Sequence, residues 1–161
     1  NTLIELVGIK NVTNTMQSLG FSNTRLQRKM IDQPASLRNE ENISTPAEAV
    51  RIMKLLHEGK FIDKSTSEEI LSILKNNPIA NSKIADGIPA NVKIAFKPGG
   101  MGGVSTEWAI VYLSNRPYAI AIMENYKTSA TPSNIISALS KRVYDYFSMM
   151  KATKYGVLIE N

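Results

Sequence analysis

The feature that most constrains the fold of this chain is a change of hydrophobic period just after Pro89. Beyond it, Val92, Ile94 and Phe96 alternate with Lys93, Ala95 and Lys97, the two-residue period of a strand with one apolar face. The runs "EWAIVYL" (107–113) and "YAIAIM" (118–123) are apolar on both sides, as in central strands covered from above and below. "SNRP" between them suits a hairpin loop. The period then turns helical in "TPSNIISALSKRVYDYFSMM" (131–150), whose expected buried stripe is Ile135, Ile136, Leu139, Val143, Phe147 and Met150.

Before Pro89 the pattern is helical and marked by caps. Asn11 is placed to cap a short helix carrying Val12, Met16 and Leu19, which Gly20 would end. In "STPAEAVRIMKLLHEG" (44–59), Thr45 is the N-cap, Pro46 the first helical residue and Glu48 the other half of a capping box. Ala49, Ile52, Met53 and Leu56 then share one face, and Gly59 is the stop. A second box, Thr66 with Glu69, leads Ile70, Leu71, Ile73 and Leu74 until Asn77 and Pro78 break the pattern. Helices, then antiparallel strands, then a closing helix give an α+β arrangement in one domain over residues 1–161. Residues 26–45 have weak periodicity between pinned ends and read as an Ω-type loop.

Composition removes several classes of function. The 43% hydrophobic and 20% charged fractions are those of a folded globular chain, and no apolar run reaches the length of a membrane span. Zero cysteines exclude disulfides, thiol catalysis and thiolate metal sites. The single histidine, His57, falls near a predicted helix C-terminus and reads as a surface residue, so no metal and no cofactor is expected. A net charge of +5 is spread along the chain without aromatic interleaving, which argues against nucleic acid. "NVT" at Asn11 and "NIS" at Asn42 have the form of glycosylation sequons but are better explained as cap and loop residues.

The glycine-rich "PGGMGG" (98–103) does not fit a phosphate loop, because Lys97 precedes the glycines and a strand, not a helix, follows them. Taken alone it is a hairpin turn. In combination with two other stretches it becomes more specific. "NT" (Asn1, Thr2) before the apolar "LIELVG", then "FSNTRLQRKM…ISTP" (Phe21 to Pro46), then "FKPGG" (Phe96 to Gly100) occur in an order that resembles the C-terminal part of the class A β-lactamase and penicillin-binding serine hydrolase family.

The resemblance implies an antiparallel sheet flanked by helices, here without the N-terminal strands and the nucleophile helix. It makes Asn1 the asparagine of the Ser-Asp-Asn motif, holding a substrate amide and orienting the catalytic lysine. Lys97 is then the cation facing the substrate carboxylate and assisting proton transfers. The Gly100 N–H becomes an oxyanion donor, with Pro98, Gly99 and Met101 lining the substrate. Arg28 becomes the anchor of the Ω loop. Two departures stand out: Met30 occupies the place of the glutamate that activates the deacylating water, and Pro98 replaces the hydroxyl residue of Lys-Thr-Gly. Asp32, Glu40 and Glu41 are the nearby carboxylates, and no arginine follows on "EWAIVYL".

"SNTR", "SILK" and "SALSK" do not occupy the position of Ser-x-x-Lys, so the nucleophile is expected from an upstream segment, which this sheet needs as its complement. The resemblance thus implies acyl transfer on β-lactams or cell-wall peptides, weak at deacylating lactams, by a protein exported to the bacterial envelope. The other reading is a catalytically silent ligand-binding or sensor module on the same fold.

Overall fold

A computed structural model describes residues 1–126, 134–150 and 152–154. The elements run α1 (Thr2–Val7), α2 (Ile9–Ser18), α3 (Gln33–Leu37), α4 (Pro46–His57), α5 (Lys64–Lys75), two 3₁₀ turns (Ile79–Asn81, Ala85–Gly87), β1 (Ile94–Met101), β2 (Val104–Val111), β3 (Tyr118–Asn125) and α6 (Ile135–Met150). The chain divides within α4 into two compact units, Asn1–Ala49 and Val50–Asn161.

The first unit is organised as much by polar groups as by apolar ones. Phe21, Ala35 and Ala49 are buried, and so are Arg28 and Glu48. Thr45 Oγ1 accepts from the Glu48 N–H (3.2 Å), as the capping pattern predicts. The Glu48 carboxylate accepts from Asn23 N (3.0 Å), Asn23 Nδ2 (3.1 Å) and Thr24 Oγ1 (2.6 Å), which fastens the segment after α2 to the start of α4. Asn11 is not an N-cap. The break lies at Gly8, whose φ of +82° suits glycine, and Asn11 sits inside α2 with Nδ2 donating back to Val7 O (2.8 Å). Leu3, Leu6 and Val7 leave an apolar stripe of α1 exposed.

The second unit carries the sheet, three antiparallel strands in the order β1-β2-β3. Ile94, Phe96, Ala109, Val111, Tyr118 and Ile120 form its core with Ile84 and Ile136. Ala95 is also fully buried, so this end of β1 has two covered faces, where the alternation predicted one. The strand "YAIAIM", expected in the centre, is the outer strand among the described residues, and its alternate side chains are half-buried. The cap of α5 is Asp63, accepting from Thr66 N (2.7 Å), rather than Thr66.

The stripe of α6 is rotated from the expected one. Ile136 and Ser140 are buried and Val143, Tyr144 and Phe147 pack on the core, while Ile135 and Leu139 are exposed; Thr131–Ser133 lie outside the described residues. The cause is the close approach of the Ala85–Gly87 turn: Ser140 Oγ donates to Ile84 O (2.8 Å), and a Cβ on Gly87 would lie 2.3 Å from Ser137 O. Small residues are required at this crossing, and hydrophobicity alone does not report them. Gly87→Ala should therefore cost about 1–3 kcal/mol through overpacking. The measurement is a chemical denaturation midpoint, and an unmoved midpoint would refute this account of the crossing.

Candidate functional site

The candidate residues of the second unit lie on β1, and the ladder decides which way each one looks. Ile94 pairs with Val111 and Met101 with Val104, so the two-residue turn is Gly102-Gly103. "PGGM" (98–101), read from sequence as part of the turn, therefore belongs to the strand. Gly103 has φ +86°, a conformation that favours glycine. Beyond the other end of the ladder, Tyr112 N donates to Lys93 O (2.9 Å). This makes Lys93–Tyr112 a hydrogen-bonded pair and, by alternation, Ala95, Lys97, Gly99 and Met101 turn their backbone groups toward β2. Ile94, Phe96, Pro98 and Gly100 turn theirs outward.

Three features agree with this phase. Phe96 O accepts from Asn77 Nδ2 (2.6 Å), Pro98 O accepts from Lys97 Nζ (2.5 Å), and proline, which has no N–H, stands where a ladder bond is not needed. The Gly100 N–H thus looks out from the open edge two residues beyond Pro98. By side chain, Lys97, Gly99 and Met101 share one sheet face with Trp108, Thr106 and Val104; Pro98 and Gly100 share the other with Glu107 and Ser105. A Cβ at Gly99 would lie 2.7 Å from Thr106 Oγ1, so a side chain there would displace that hydroxyl.

In the first unit, Asn1 and Met30 are brought together. Asn1 Nδ2 donates to Met30 O (3.1 Å) and Asn1 Oδ1 accepts from Met30 N (2.7 Å). The amide keeps one N–H and one lone pair beyond these bonds. The next residue, Ile31, has φ +63°, a costly conformation for a β-branched side chain.

Arg28 is buried against Glu41, with Nε and Nη2 donating to Oε2 at 2.9 and 2.6 Å, and Nη1 donating to Lys29 O (3.1 Å). Asn42 braces the same turn, its Oδ1 accepting from Gln27 N (2.8 Å) and Arg28 N (3.0 Å). The Arg25–Ile43 bridge closes the loop at its ends.

The carboxylates nearest Met30 in sequence are engaged elsewhere. Asp32 caps α3, accepting from Ala35 N (3.1 Å). The Ser36 hydroxyl, and after it Arg28, hold Glu41 below the usual carboxylate range, and Arg38 does the same for Glu40. Lowered pKa values make these groups weaker bases. No cluster of His, Cys, Asp or Glu among the described residues could hold a metal ion.

Sequence reasoning missed Glu107, which it read as the start of an apolar strand. Its side chain is buried, accepting from Lys83 N (2.9 Å), Ile84 N (3.2 Å) and the Ser82 hydroxyl. An acid opening an otherwise apolar run was the available signal. Burial pushes its pKa above the ordinary 4.5, against the three hydrogen bonds that favour the anion. A raised folded-state pKa contributes stability that is complete below the unfolded value and is lost as pH rises through the folded one. Relative to Glu107→Gln, the wild type should therefore lose stability as pH rises from the ordinary carboxylate pKa through the raised folded-state one. Denaturant melts across that range measure the difference, and a pH-independent gap would contradict the burial account.

Comparison with known proteins identifies the family and the fold. The model of a family described as the β-lactamase enzyme family matches residues 1–147. The chain is 26% identical over 144 residues to an imipenem-hydrolysing β-lactamase of Enterobacter cloacae, covering 86% of this chain and 49% of that relative. It is 26% identical over 156 residues to a β-lactamase of Bacteroides uniformis, covering 89% and 53%. Among solved structures, a class A β-lactamase of Mycobacterium abscessus superposes with a TM-score of 0.80 at 25% identity, over 92% of this chain and 58% of that one. One of Bacteroides cellulosilyticus gives 0.77 at 27% identity, over 92% and 57%. The chain spans about half the length of the curated relatives it matches. With its α+β architecture and a family match running through both units, the chain belongs to the β-lactamase enzyme family.

Proposed function

We propose that this chain is the C-terminal part of an acyl-transfer enzyme of the penicillin-recognising type, acting on β-lactams or D-alanyl-D-alanine cell-wall peptides in the bacterial envelope. The observation that carries the reading is the outward Gly100 N–H on the strand that bears Lys97. The names of the relatives, which include β-lactamases from several bacteria, support the same class of chemistry.

In the proposed reaction a serine Oγ, supplied by the upstream segment, gives its proton to a base of that segment and bonds to the carbonyl carbon. The carbonyl oxygen takes up negative charge, which the Gly100 N–H stabilises. Collapse breaks the C–N bond and the departing nitrogen takes a proton. Lys97 offers a cation to the substrate carboxylate, and Asn1 uses its remaining amide N–H or lone pair for the substrate amide. Deacylation needs water activated by a base, and Met30 cannot accept a proton. The acyl-enzyme should therefore be long-lived. The engaged Asn1 amide and the Met30 and Pro98 departures favour a second reading, a catalytically silent module that binds such ligands without turnover.

The partner in this proposal is the upstream part of the fold. The outer edge of β3 presents the N–H and C=O groups of Ala119, Ala121, Met123 and Asn125, because Tyr126 N donates to Gly103 O (2.9 Å) and so sets the phase of that ladder. Beside its first residues is a cleft of about 380 Å³ lined by His57, Ile110, Pro117, Tyr118 and Phe147, room for side chains of an added strand.

The test is covalent labelling by a fluorescent penicillin of the polypeptide expressed with the upstream segment of its own reading frame. Stable labelling supports the enzyme, and ligand-induced stabilisation without labelling supports the silent module. Lys97→Ala should slow labelling by about 10²–10³-fold, the loss typical of a transition-state electrostatic contact. Met30→Glu should hasten deacylation by about 10²–10⁴-fold, the usual contribution of a general base. An acyl-enzyme lifetime unchanged by Met30→Glu would remove Met30 as the cause of slow turnover.

A further inference from the structure

In sequence Asn77 reads only as a helix breaker, and the fold gives its side chain a second task. The C-cap of α5 is Asn76, and Pro78, which follows Asn77, disfavours any continuation of the helix through residue 77. Half-buried at this point, Asn77 donates from Nδ2 to Phe96 O at 2.6 Å. By the phase of the β1–β2 ladder, Phe96, Pro98 and Gly100 turn their backbone groups out of the sheet over this stretch. Those outward groups are not equivalent. The Phe96 carbonyl is held by Asn77, Pro98 has no N–H, and the Pro98 carbonyl accepts from Lys97 Nζ (2.5 Å). Gly100 presents both an N–H and a C=O. An edge occupied in this way resists the addition of a long extended strand.

A ligand with its reacting carbonyl at the Gly100 N–H and its following groups toward Lys97 runs antiparallel to β1. Because alternate residues pair, its second residue past the reacting one would face Pro98 and its fourth would face Phe96. At Pro98 the missing N–H and the lysine bond remove the pairing, and at Phe96 the Asn77 amide already sits on the carbonyl.

We propose that Asn77 is a specificity-determining residue that closes the β1 edge at Phe96, so that the site takes short acyl-amide ligands and gains nothing from a peptide chain continuing past the reacting carbonyl. This rests on the reading of β1 as the substrate edge. The selectivity works by exclusion. A longer ligand must break one hydrogen bond to make another, and its additional residues lose conformational freedom in doing so.

The experiment titrates the polypeptide used for labelling with N-acetyl-D-alanyl-D-alanine amide and with the same peptide prolonged by three glycines before the amide, long enough to reach Phe96. Both are uncharged at the C-terminus, so no carboxylate moves relative to Lys97, and the Gly100 amide resonance reads binding whether or not acylation occurs. Wild type should bind the two peptides within about twofold of each other. Asn77→Ala should bind the longer one about fivefold more tightly than the shorter, the scale of a net main-chain hydrogen bond, and leave the shorter within about twofold of wild type. Asn77→Asp, which keeps the volume and removes only the donor, should shift the ratio the same way by a smaller factor, and it serves if the alanine variant fails to fold. A longer peptide that already binds more tightly to wild type, a ratio unmoved in both variants, or equal changes for both peptides would overturn the proposal and leave the substrate edge standing. Failure of wild type and variants to bind either peptide would overturn it together with the reading of β1.

Discussion

The phase of the β1–β2 ladder is the constraint on which the candidate site depends. A two-residue turn at Gly102-Gly103 sets it, and every residue from Ile94 to Met101 inherits a direction from that turn. In this phase Lys97 and Gly99 belong to one face, and the Pro98 and Gly100 backbones look out from the open edge. A slip of one residue would turn the Gly100 N–H into the sheet and carry Lys97 to the other face. Proline is tolerated at 98 for the same reason: at that position the missing N–H would have faced outward, so the ladder loses nothing.

The first unit reaches definition by another route. Its loop is braced by charge and amide contacts: Arg28 on Glu41, Asn42 on the backbone of Gln27 and Arg28, and Glu48 on Asn23 and Thr24. Buried charges need compensating partners: Arg28 is paired with Glu41, and Glu48 accepts hydrogen bonds from Asn23 and Thr24. The consequence for chemistry is subtractive. Asp32, Glu40 and Glu41 are committed to a cap and two ion pairs, and the Asn1 amide is closed on Met30, so the loop holds its shape with the carboxylates a base would need.

Much of this was legible in the residues. The change of period after Pro89 announced the strands, Thr45-Pro46 announced α4, and the order of the short motifs carried the family. Where the reading missed, the missing information was contact with residues distant in sequence. Asn11 has the chemistry of a cap, but Gly8 ends α1 first. Ile135 and Leu139 have the hydrophobicity of a core stripe, but the fit of Gly87 against Ser137 and Ser140 turns α6 the other way. Glu107 reads in sequence as the start of an apolar strand, and only the fold buries its carboxylate against the backbone of Lys83 and Ile84.

By itself the sequence determined which elements form and which family they compose, because periodicity, caps and glycine-proline punctuation are local properties of the chain. The tertiary structure decided which backbone groups face the open edge and which carboxylates remain available. Those outcomes depend on ladder phase and on hydrogen bonds between segments far apart in the chain, such as Asn1 with Met30 and Ser82 with Glu107, for which no local pattern exists.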